Sequence, residues 1–164
     1  MEHSPHIDGV VRSFRTEVDR IDQHRSVEKV DEIARALGEA EAIIGHSRTF
    51  DHMWAELSKQ YLFLGERDRA LDIIDEIGSP VAFMEAYHSF YEAGEIEYDA
   101  LVKLGVRTAL AQDDPEQERE VLVRLKWWSE DAPDRKLANQ VVCLHERAHQ
   151  RWRRGRREEA GAHE

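Results

Sequence analysis

One cysteine, Cys143, stands in the whole chain of 164 residues, so no disulfide can form within it and a reducing, cytoplasmic setting is the default reading. Long apolar runs are missing too: the longest is about four residues, against the ~20 a membrane-spanning helix requires, and no transmembrane segment is expected. The opening stretch MEHSPHIDGVVRSF has neither a basic start nor an apolar core, which argues against a secretory signal. Nowhere do β-branched and polar residues alternate over a strand's length, and there is no Gly-rich phosphate loop, Ser-centred elbow or Cys-x-x-Cys pair. Prolines number four, and three of them, Pro80, Pro115 and Pro133, fall at breaks between helical patterns.

What remains is helical periodicity almost throughout, and the fold class it predicts is all-α. Val10, Phe14, Val18 and Ile21 give a first amphipathic helix over 10–24, behind a flexible tail over 1–9. Ser26 reads as the N-cap of a second helix through Val30, Ile33, Leu37 and Ile44, closed by Gly45. Helices over 48–64 and 67–77 follow. Ser79 and Pro80 start the next, which Gly94 ends, and a further helix carries Ala100 and Leu101. Asp114 and Pro115 open a helix over 116–129, with Val121, Leu122, Leu125 and Trp128 inward. The last begins near Arg135, with Leu137, Val141, Leu144 and Ala148 inside, and frays beyond Trp152. About eight helices in antiparallel pairs predict a short α-solenoid over 10–152, with a charged tail over 153–164; an irregular helical bundle is the alternative.

Residues 53–77 write one helix-turn-helix unit nearly completely. Phe50, Met53, Trp54, Leu57, Tyr61 and Leu64 share one stripe, Gly65 stops that helix, and Ala70, Ile73, Ile74 and Ile77 resume the pattern. Trp54, Leu57, Ser58, Tyr61, Gly65, Ala70 and Leu71 together resemble a tetratricopeptide repeat. A second, degenerate copy follows, with Phe83 in place of the Trp, Phe90 of the Tyr, and Gly94, Ala100 and Leu101 at matching offsets; bulky Tyr87 takes the small-residue position. Pro80 departs from the family pattern, coming two residues early for its closing proline. The resemblance implies a protein- or peptide-binding scaffold without catalysis or cofactor, whose groove is lined by the first helix of each pair. Carried onto this sequence, the groove stripe is His52, Ala55, Lys59, Leu62 and Phe63, continued by Val81, Met84, His88, Tyr91 and Glu92. Aromatic anchors, one cation and two histidines suit a peptide bearing an acidic or C-terminal carboxylate group.

His145-Glu146-Arg147-Ala148-His149 spells H-E-x-x-H on a predicted helix, the pattern with which zinc hydrolases hold a metal between two imidazoles one turn apart. Arg147 follows the Glu where an apolar residue is usual, and the only ligand types downstream are Glu158, Glu159, His163 and Glu164. Imidazoles on the flank of a packed helix, beside Val142 and Trp152, are therefore the favoured reading and the zinc hydrolase the alternative. A di-iron reading of Glu85/His88 with Glu146/His149 fails on helix length. Cys143 reads as a core thiol.

Residues 147–157 hold six arginines and no acid, in a chain whose formal charge is −11; taking those six away leaves −17 on the rest. A solvated helix end, or an arm docking on the acidic body of the same or another copy, explains this polarity. Nucleic acid is disfavoured, because so acidic a body repels a polyanion. A self-associating structural module is the third functional reading.

Overall fold

The computed structural model describes residues 9, 12–16, 26–44 and 50–162, and among these there is no strand. Residues 12–16 are helical (α1), with Phe14 buried. Then come α2 (Val27–Ile44), α3 (Asp51–Phe63), α4 (Arg67–Glu76), α5 (Pro80–Glu92), α6 (Tyr98–Leu110), α7 (Pro115–Trp128) and α8 (Arg135–Ala162). Val10, Val18, Ile21 and Gly45 lie outside the described residues. Among those described, no helix is long and apolar enough to cross a membrane.

The boundaries follow local chemistry. Ser26 Oγ accepts from Lys29 N–H, Ser79 Oγ from Ala82 N–H, Asp114 Oδ1 from Glu116 N–H and Asp134 Oδ1 from Leu137 N–H, so four helices start on a side-chain cap. Pro80 and Pro115 occupy first helical positions, where a missing N–H costs nothing. Gly65 and Gly94 end α3 and α5 at φ +83° and +77°, the left-handed region that a Cβ disfavours. Both turns are tied alike: Glu66 N–H reaches Tyr61 O at 2.9 Å and Glu95 N–H reaches Phe90 O at 2.9 Å, each with a shorter loop from the glycine N–H inside it.

The chain forms two compact units, Met1–Ala86 and Tyr87–Glu164, and the division falls within α5. In the first, α2 packs on α3 and α3 on α4. Val30, Leu37, Phe50, Leu57, Ala70 and Ile74 are fully buried there, and buried Ser58 donates to Ala70 O at 2.9 Å across the α3–α4 contact. Asp51, also fully buried, accepts from Ser79 N–H at 2.8 Å and so holds the start of α5.

In the second unit α6 packs on α7 and α7 on α8. Gly105 lets α6 approach α7 closely: a Cβ built there would lie 2.4 Å from Leu125 Cδ1. Tyr98 Oη donates to Ser129 Oγ at 2.5 Å, and Arg135 donates to the carbonyls of Ser129, Glu130 and Ala132 at the end of α7. Val121, Leu122 and Leu125 meet a face of α8 on which Ala138, Val141 and Ala148 are buried and Leu137 and Leu144 half-buried. Cys143, expected in the core, is exposed, because it falls off that face. The last helix also does not fray at Trp152. It continues to Ala162, with residues 153–162 all exposed, since Arg, Glu and Ala are strong helix formers even where nothing packs on them.

Candidate binding cleft

Three helices of the first unit share a simple geometry. On α2 Asp31 and Gly38, on α3 Tyr61 and Trp54, and on α4 Arg69 and Glu76 are each seven residues apart, two turns or about 10 Å along one face. The first member of each pair joins a clamp. Tyr61 Oη donates to Asp31 Oδ1 at 2.6 Å and Arg69 Nη1 donates to the same oxygen at 2.8 Å. The Tyr61 hydroxyl, and after it the Arg69 guanidinium, hold the Asp31 carboxyl below its usual range; burial and then Asp31 push the Tyr61 phenol up.

The second members open a cleft of about 440 Å³, lined by Gly38, Glu41, Trp54, Asp72, Ile73 and Glu76. Trp54, expected to point at neighbouring helices, is half-buried at the cleft, and its indole N–H donates to Glu41 Oε1 at 2.5 Å. Asp72 and Glu76, both exposed, stand one turn apart on α4 with Ile73 beside them. An indole face fixed by one carboxylate and flanked by two more, with no base in the lining, is built for a cation with a flat or apolar body. Of these residues Trp54 and Ile73 were singled out in the sequence. The signal for the others was the like-charged i, i+4 pair Asp72/Glu76, a spacing that disfavours a helix unless it serves something else.

The expected groove residues fall in both units and differ in burial. Leu62 and Met84, with Ala55 and Val81, are buried and belong to the core, since the faces of α3 and α5 that carry them are the packed ones. His52 is exposed, with Nδ1 3.1 Å from Glu85 Oε2, and Lys59 Nζ lies 5.7 Å from the ring centroid of exposed Phe63. In the second unit His88 stacks on Trp128 at 4.3 Å, reaches Glu92 with Nδ1 at 2.9 Å and tilts against Tyr91.

On α8 the rings of His145 and His149 lie 6.0 Å apart while Glu146 is exposed on another face. Both Nδ1 atoms are buried without a protein partner. Burial, and then Lys126, His149 and Arg119, hold His145 below the usual imidazole range, surroundings that oppose a cation. Among the described residues no group of three or more His, Cys, Asp and Glu side chains is placed to hold a metal. Arg119 and Arg156 lie 4.3 and 5.2 Å from the Trp152 ring centroid, so that indole is already engaged.

No protein-family model matches the chain, and no curated protein or solved structure matches it either.

Proposed function

We propose that this chain is a non-catalytic helical recognition module that binds a protein or peptide segment, and that the cleft at Trp54 receives a basic side chain. The observation that carries this reading is the fixed indole with Glu41, Asp72 and Glu76 around it and no base among them. Arginine suits such a site best: its planar guanidinium stacks on an indole while its N–H groups address carboxylates in pairs. The preference for an acidic peptide expected at Lys59 gives way, because Lys59 is turned toward Phe63 and Leu62 and Met84 are buried. The architecture belonging to this reading is a short tetratricopeptide-like α-solenoid, supported by the same glycine-capped turn at Gly65 and Gly94. A cytoplasmic setting belongs to it too, with the lone thiol exposed.

Isothermal titration with an oligo-arginine peptide tests the cleft. Binding is expected to weaken by about tenfold or more in Asp72→Lys/Glu76→Lys, whose two positions are exposed and leave the fold intact. Equal binding by wild type and variant would place the interaction elsewhere.

A further inference from the structure

Resting on that reading, we infer that the occupant of the cleft is the arginine-rich end of α8 from a second copy of this chain. α8 has 28 residues against the 14 of α7, so it is about 42 Å long beside a partner of about 21 Å. Its packing ends where α7 begins: Glu118 pairs with Arg151, Arg119 covers Trp152, and beyond them every residue through Ala162 is exposed. On this bare segment Gln150, Arg153, Arg154 and Arg157 line a shallow hollow of about 190 Å³, a surface made of guanidinium groups facing solvent.

The two surfaces match in spacing as well as in sign. Arg153 and Arg157 are one helical turn apart, as are Asp72 and Glu76, so both charge pairs repeat at about 6 Å along a helix. Two helices laid side by side thus bring both guanidiniums to both carboxylates, and Arg154, next to Arg153, is left to reach the Trp54 indole. Asp72, Glu76, Arg153, Arg154 and Arg157 are all exposed, so both charged surfaces face solvent. A nucleic acid is the poorer occupant of the arginine face: Trp152 is covered by Arg119 and Arg156, and the rest of the chain repels a polyanion.

The decisive experiment is a charge exchange between copies, read as mass by light scattering after size exclusion. Wild type is expected to self-associate at about 0.01 M salt, where the Debye length is about 30 Å, and to dissociate near 1 M, where it is about 3 Å. Asp72→Lys/Glu76→Lys and Arg153→Glu/Arg157→Glu are each expected to be monomeric at low salt, because each sets like charges against each other. Mixed together they are expected to associate again, since each then offers the other an opposite-signed surface. A wild type that stays monomeric at low salt overturns the inference, as does a mixture that stays monomeric or association that ignores both variants. Monomeric wild type whose cleft still binds oligo-arginine would remove the second copy as occupant and keep the cleft. Loss of oligo-arginine binding in wild type would remove both. Binding of a single-stranded oligonucleotide by the monomeric protein, abolished by Arg153→Glu/Arg157→Glu, would assign the arginine face to nucleic acid and overturn the self-docking.

Discussion

The triplets α2–α3–α4 and α6–α7–α8 are built alike, three consecutive helices packed in sequence order, yet they end differently. In the first, helices of 18, 13 and 10 residues close on each other at the Tyr61–Asp31–Arg69 clamp and separate two turns away into an acidic cleft. In the second, the contacts are tight at Gly105 and Leu125, but α8 is twice the length of α7 and runs on bare. A helix face is buried only for as long as its neighbour lasts. The first unit therefore exposes a hollow between helices, and the second exposes a whole helix end.

The largest effect that can sharpen this contrast comes from the core of the first triplet. Leu57→Ala empties a fully buried position and is expected to cost about 2–5 kcal/mol in chemical denaturation. A loss below about 1 kcal/mol would show that α3 and α4 do not depend on that contact.

In the second triplet the close approach is the sensitive point. Alanine for a mid-helix glycine ordinarily gains up to about 1 kcal/mol in propensity, but Gly105→Ala drives a Cβ into buried Leu125 and is expected to lose about 1–2 kcal/mol net. A stabilised variant would mean that α6 and α7 can move apart freely.

Next in size is the clamp. Tyr61→Phe removes the hydroxyl that donates to Asp31 and is expected to cost about 1 kcal/mol near neutral pH. Asp31 titrates lower when folded than its unfolded value of about 3.9, so its contribution is complete above that pH and disappears as pH falls through the folded value. The difference between wild type and Tyr61→Phe should shrink on acidification in that window; a constant difference would separate the hydroxyl from the carboxylate.

The second triplet has its own window, at higher pH. His145 is held below the unfolded value of about 6.5, so the unfolded chain binds its proton first and stability declines as pH falls below that value. In thermal melts between pH 7.5 and 5 or so, His145→Gln should flatten part of that decline. The smallest effect is expected from truncation after Trp152. Residues 153–162 are all exposed, so the change should stay within about 0.5 kcal/mol, and a larger loss would reveal packing of the arginine end.

Much of this was legible in the residues. Steps of three and four announced the helices, and Ser26, Ser79, Pro80, Gly65, Gly94, Asp114 and Pro115 marked their ends, because capping and φ preferences act within a few residues. The candidate site was hardly legible. Leu62 and Met84 looked like groove residues when each helix was placed on a wheel alone, but a wheel does not say how wide a packed face is.

The cleft sets Trp54 beside Gly38, sixteen residues earlier on another helix, and beside Glu41, Asp72 and Glu76, and the three helices that carry these residues meet only through packing. The bare end of α8 likewise depended on where Pro115 starts its neighbour. Helix type and helix ends are short-range properties, set by neighbours in sequence, and the sequence by itself determined them. Which face is covered, and for what length, is a property of pairs of helices, and only the tertiary structure decided it.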